Sequence, residues 1–197
     1  PIPSPYTTEP PQQGQRRVTV RRAGTNTLGI SHKIPEALHA DIPALLLLSV
    51  ILYDDKASRL YKAFIDRALA TDVTVFCDQF KDPSLFQTFL TLAPGVTHAR
   101  AEEMLLKEYG KVSEKGVTIS ELRRAQQSIR VHAASRRDGP YALLSSLNEM
   151  LAAGDWTRFV TLPEDIKHVT QADIRRVART YLTDDQSTVG WFVATNA

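Results

Sequence analysis

Zinc hydrolysis needs imidazoles that project together, most simply two histidines four apart on a helix with a carboxylate nearby as base. The chain of 197 residues carries five histidines, His32, His39, His98, His132 and His168. The closest two lie seven apart, with Pro35 and a helix start between them. No local metal pair exists, and scattered single histidines read as surface or capping residues. A nucleophile elbow of the Gly-x-Ser-x-Gly kind is absent. Cys77 follows Val73-Thr74-Val75-Phe76, a strand pattern, and reads as a buried inert thiol. The nine glycines are scattered, forming neither a dinucleotide nor a nucleoside-triphosphate loop. The pairs Asp54-Asp55, Glu102-Glu103 and Asp184-Asp185 fall in turns or on helix surfaces, where carboxylates are solvated or favour helix ends. No catalytic and no metal-binding residue is expected.

Two groups of arginines need a separate weighing. Arg16, Arg17, Arg21 and Arg22 bracket a strand, while Arg123, Arg124, Arg130, Arg136 and Arg137 decorate a helix and its end. Nucleic-acid binding calls for such residues on one face with aromatic stacking partners. The first group contains no aromatic, and the formal net charge is only +2. A solvated surface without nucleic acid is the reading, an α+β nucleic-acid-binding module the alternative.

The elements that position these groups follow from periodicity. Hydrophobic residues at 43% and charged ones at 23% fit a globular chain with a substantial core. With Cys77 the only cysteine, no internal disulfide forms, and the compartment, periplasmic or cytoplasmic, stays open. Residues 1–15 contain five prolines and read as an extended linker from an upstream domain; residues 16–197 read as one α+β domain. There is no initiator methionine and no signal-peptide pattern, so the sequence reads as excised from something longer.

Arg16 to Arg22 alternates as a half-buried strand with Val18 and Val20 on one face, and Thr27 to Ile34 returns as a second. Asp41 is a plausible N-cap for a core helix with Pro43 in its first turn; the apolar run 42–53 is too short to span a membrane. Residues 58–67 read as a shorter helix, and 73–80 with 85–92 as an antiparallel hairpin presenting Val73, Val75 and Cys77 on one face. Helical stripes follow: Ala101, Met104, Leu105, Tyr109 and Val112; then Leu122, Ala125 and Ile129 behind a Thr118/Glu121 capping box; then residues 141–151, closed by Gly154; then a helix capped by Thr170. Ser187 to Thr195 ends the chain as a strand.

The order of several landmarks carries a resemblance. Glu9-Pro10-Pro11-Gln12-Gln13-Gly14, the strand Arg16 to Arg22, Asp41-x-Pro43-Ala44-Leu45 and Ser58-Arg59-Leu60-Tyr61 are followed by Gly116-Val117-Thr118 before a capped helix. The stretch from Gly154-Asp155-Trp156 through Val169-Thr170 continues the series. Together they resemble the carboxy-terminal half of insulinase/pitrilysin-type zinc metallopeptidases, the mitochondrial processing peptidase superfamily. The resemblance implies an antiparallel β-sheet with helices packed on one face. It also implies a division of labour, in which one half bears an inverted zinc motif, His-x-x-Glu-His, and the other closes over it around peptide substrates. Nothing here matches that motif, so the resemblance implies the non-catalytic half, with zinc in an upstream or separate partner half. Many relatives grip substrate with an arginine and a tyrosine in and after the Ser-Arg-Leu-Tyr segment. Here Ile65 or Asp66 holds the arginine region, Thr71 the tyrosine position, and Arg67 stands out of register. Tyr61, Arg67 and Thr71 are therefore the candidate substrate-facing residues. Respiratory-complex core proteins share the superfamily, which leaves a structural subunit without proteolysis as the other alternative.

Overall fold

A computed structural model of the protein describes residue 10 and residues 12–195. The linker reading therefore falls mostly on residues outside the described ones. Where that segment enters view, the Gln12 side-chain amide donates to the Ser187 carbonyl at 2.7 Å and that of Gln15 to Ser187 Oγ at 3.1 Å.

Five strands form one sheet in the order β1-β5-β2-β4-β3. They are β1 (Arg16–Arg22), β2 (Thr27–Ile34), β3 (Ala70–Cys77), β4 (Ser84–Leu92) and β5 (Ser187–Ala194). The α+β class holds, and three of the four pairings are antiparallel. The fourth departs from expectation, because β5 inserts between β1 and β2 and runs parallel to β1. A parallel pairing needs a long crossover, and here the crossover is nearly the whole domain. The half-buried reading of β1 is also overturned. All seven of its residues are exposed, Val18 at 52% and Val20 at 41%, because β1 is an edge strand.

Period-2 alternation buries one face of the sheet: Leu28, Ile30, His32 and Ile34 from β2, and Phe86, Thr88, Leu90 and Leu92 from β4. Helix α1 (Ile42–Leu52) covers that face. It is apolar nearly all round, as a fully enclosed helix must be, with Leu45, Leu47, Leu48, Ile51 and Leu52 at 0% exposure. Around it lie α2 (His98–Lys115), α3 (Ile119–Ser135), α4 (Pro140–Ala153), α5 (Arg158–His168) and α6 (Gln171–Tyr181); α1 touches α3, α5 and α6. The hairpin pairs as expected, with Val73, Val75 and Cys77 opposite Leu90, Thr88 and Phe86.

Asp41 precedes α1 but makes no side-chain cap. Its carboxylate instead accepts from Arg176 at 2.6 Å and from the Tyr181 hydroxyl at 2.7 Å, binding α6 to the start of α1. These ion-pair bonds hold the acid below the usual carboxylate range. Helix α5 escaped the sequence reading because Pro163 lies inside it.

The two expected threonine caps form. Thr118 and Thr170 each close a capping box, with Glu121 and Asp173. Glu121 does more. Burial alone would raise its pKa, but hydrogen bonds from Arg59 and from the Thr118 amide outweigh that and hold it at about 2. Arg59 Nε donates to Glu121 at 2.7 Å and its Nη2 to the Gly116 carbonyl at 3.1 Å, so the arginine of the Ser58-Arg59-Leu60-Tyr61 run is a clamp on α3. Glu121→Ala is expected to lower the unfolding free energy by about 1–2 kcal/mol, as loss of a cap does, read by denaturant melts. An unchanged midpoint would show that the clamp contributes nothing.

Candidate functional site

The segment expected to face substrate departs from regular backbone geometry three times. Residues 58–67 do not form an ordinary helix. Tyr61–Ile65 is a π-turn, with the Asp66 amide bonded to the Tyr61 carbonyl at 3.1 Å and that of Leu69 to Phe64 at 2.8 Å. Such wide turns collect at functional sites. Phe64 is fully buried and anchors the turn. Ala68 follows at φ 52°, left-handed space that a residue with Cβ enters at a cost. The chain then joins β3, and its pairing with β4 slips between Ala70 and Asp72, making Thr71 a bulge residue.

Each candidate can now be placed. Tyr61 opens the π-turn, partly buried. Arg67 is exposed in the turn that follows. Thr71 is exposed, and its hydroxyl donates to the Thr91 carbonyl at 3.4 Å. The fold brings Tyr53 within electrostatic reach of both Tyr61 and Asp72. The Tyr53 phenol is raised by burial and then by the charges of Asp72 and Tyr61. Tyr53 and Asp72 were missed in the sequence, since nothing local links a helix end to a bulged strand twenty residues later.

The histidines stay apart. His32 lies in the core on β2, His39 accepts from the Asp41 amide, His98 contacts the Phe192 carbonyl and stacks on Trp191, His132 sits on α3, and His168 ends α5. Among the described residues no group of three or more His, Cys, Asp or Glu side chains gathers in a way that could hold a metal ion. The donor set does not fit zinc. Burial, and then the Asp78 charge, push the Cys77 thiol up to about 12, so it is an unreactive thiol.

Among the described residues no helix covers the other face of the sheet, where apolar side chains stand between polar ones: Val18, Val20, Phe76 and Leu85 are exposed, with Phe89 and Phe192 partly so. Gly29 and Gly190 sit opposite one another across β2 and β5, and a shallow trough of about 180 Å³ runs over them between Val18 and Phe89. Gly29 is required there, since a Cβ on it would come within 2.9 Å of the Phe89 ring. At the β1 edge, Glu102 of α2 is nearly buried and accepts from Arg17 and from Trp191 Nε1, which ties the exposed strand to the helical layer.

Solved structures share this architecture. The chain superposes with a TM-score of 0.92 on a protease from Helicobacter pylori, at 24% identity over 98% of this chain and 47% of that one. On the inactive peptidase domain from Bordetella parapertussis the TM-score is 0.80, at 28% identity over 90% of this chain and 96% of that one. The fold is that of a peptidase-type domain. The chain belongs to the Peptidase M16 inactive domain family, whose model matches residues 1–129. It is also 28% identical over 194 residues to the zinc protease PqqE of Helicobacter pylori, covering 95% of this chain and 43% of that protein. The chain thus spans less than half of that relative's length.

Proposed function

We propose that this chain is the non-catalytic C-terminal domain of a zinc metalloendopeptidase, which closes over a zinc-bearing half and encloses a chamber for peptide substrates. Membership of the inactive-domain family carries the reading. The apolar side chains exposed on that sheet face, Val18, Val20, Phe76 and Leu85, support it, because such groups gain from being covered by a partner. On this reading the zinc half packs on that face, and enclosure excludes water from the metal and orients the peptide. The irregular segment of Tyr61, Arg67 and Thr71 faces the peptide, positioned by the π-turn and the bulge.

Two measurements test this. The purified chain is expected to hold no stoichiometric zinc and cleave no peptide alone, and to raise cleavage when added to a half bearing His-x-x-Glu-His. One tightly held zinc per chain, or no gain in cleavage, defeats the reading. The second measurement uses Gly190→Leu. A Cβ there lies 3.6 Å from Val18 Cγ1 and 3.9 Å from the Gly29 carbonyl, so the leucine fills the trough without disturbing the fold. Affinity for the zinc half is expected to fall about tenfold or more, with little change in melting temperature. Undiminished affinity would place the interface elsewhere.

A further inference from the structure

Where α2 ends beside α6, two guanidinium groups meet at one oxygen. Arg175 Nε donates to the Ser113 carbonyl at 3.3 Å, and Arg179 Nε donates to the same carbonyl at 2.7 Å. That oxygen belongs to the last turn of α2, whose final carbonyls find no amide within the helix. The negative end of the helix dipole also favours cations there. Even so, two like charges four residues apart on α6 stand side by side, and such a pair weakens a helix. A carboxylate beside them would relieve the repulsion. None does: Arg175, Arg179 and Lys115 form no ion pair among the described residues. By contrast, Arg59, Arg158 and Arg176 are neutralised by Glu121, Asp165 and Asp41.

The three uncompensated cations line one open recess of about 640 Å³. Gly116 and Val117, both buried, form part of its wall, and the Gln171 side-chain amide of α6 donates to the Val117 carbonyl at 2.5 Å. Gly116 turns the chain at φ 74°, and the Arg175 stem lies 3.7 Å from where its Cβ would stand. The recess is therefore built, with the arginine heads anchored at Ser113 and one stem packed against Gly116. Arg176 also lines it, with its charge already taken by Asp41. Neither Glu114 nor Asp173, the acids nearest in sequence, is among the lining residues.

Charge and donor geometry select the occupant. Both Nε groups are committed to Ser113, which leaves the Nη ends of two arginines and the Lys115 ammonium to donate to separate oxygens. A carboxylate brings one negative charge against three positive ones. A phosphoryl group brings about 1.5–2 and three acceptor oxygens, and two joined phosphoryl groups bring more. No aromatic lines the recess to stack a base, and no large exposed apolar side chain lines it to enter a lipid surface. We propose that the recess between α2 and α6 binds a soluble phosphate-type oxyanion of the pyrophosphate class, held by Arg175, Arg179 and Lys115. The site lies in the helical layer and is independent of the sheet face assigned above to the zinc-bearing half.

The test titrates the 197-residue chain with sodium pyrophosphate by calorimetry at about 50 mM salt, against a chloride reference of matched ionic strength. Saturable one-to-one binding with a Kd of roughly 100 µM or below is expected, weakening as salt rises. Saturating pyrophosphate is expected to raise the melting temperature, as a ligand of the native state alone does. Lys115→Gln leaves the Ser113 anchor intact and is expected to weaken binding about threefold; Arg175→Gln with Arg179→Gln is expected to weaken it about tenfold or more. The melting temperature of the double variant without ligand verifies its fold, and the lysine variant decides alone if the double one does not fold. As control, Arg123→Gln with Arg130→Gln removes two exposed charges from α3 and is expected to leave affinity unaltered. No saturable binding, equal weakening by the control, or binding of phosphatidylglycerol vesicles or single-stranded DNA without binding of free pyrophosphate would each overturn the proposal.

Discussion

Phe64→Ala is expected to lower the unfolding free energy by about 3–5 kcal/mol, the range for removing a large aromatic from a packed core. Phe64 is at 0% exposure, inside a cluster with Leu60, Leu69 and Val73. A typical domain is stable by only about 5–15 kcal/mol, so the loss is about a fifth of the total or more. The consequence reaches beyond stability. The π-turn, the left-handed Ala68 and the Thr71 bulge follow one another within eleven residues, Tyr61 to Thr71, and each is a costlier backbone than its regular counterpart. They persist because Phe64 fixes the turn from the core side. Amide exchange at Leu69 and Asp66, whose N–H groups close the wide turn, is expected to accelerate more than exchange in α2. A uniform acceleration across the domain would mean that Phe64 supports the core without specially holding this segment. Ile65→Ala, at a partly buried position in the same turn, provides the milder comparison.

Acidification from pH 6.5 to 4 is expected to remove roughly 3 kcal/mol of stability through one residue, His32. It is 1% exposed, its Nδ1 has no hydrogen-bond partner among the described residues, and its ring packs edge-on against Tyr109 at 5.6 Å. Burial pushes the imidazole from 6.5 down to about 4. Between those values the unfolded chain binds a proton that the native protein refuses, so stability rises with pH across the window and falls on acidification. Above pH 6.5 the residue is neutral in both states and the effect vanishes. Carboxylates behave differently: Glu121, held at about 2, contributes above its ordinary 4.5 and loses that contribution as pH falls towards 2. His32→Leu isolates the imidazole. Denaturant melts of both proteins at several pH values should show the wild type losing stability relative to the variant between 6.5 and 4. Parallel pH profiles would mean that the core admits water or a counter-charge at His32.

The inert character of Cys77 and most helices were legible from residue type and spacing, because each depends on neighbours within a turn or two. Thr118 with Glu121 announces a helix start, and Ala101, Leu105, Tyr109 and Val112 announce its predecessor's buried face. Chain direction in the sheet was not legible. Nothing local tells β1 that its partner is β5, some 170 residues away, and the same distance hid the exposure of Val18 and Val20. Asp41 shows the limit at a single residue. Its type and position suit a cap, but a guanidinium and a phenol from α6 offered its carboxylate stronger partners.

Local patterns and their order therefore suffice for the class of fold, the family likeness and the absence of any short-range metal motif. Long-range contacts settle that the sheet is mixed, that apolar side chains stand exposed on one of its faces, and that Tyr53 lies within electrostatic reach of Tyr61 and Asp72. Those are contacts between distant segments, fixed when burial of α1 and the helical layer sets how the strands lie, and no window of neighbouring residues contains them.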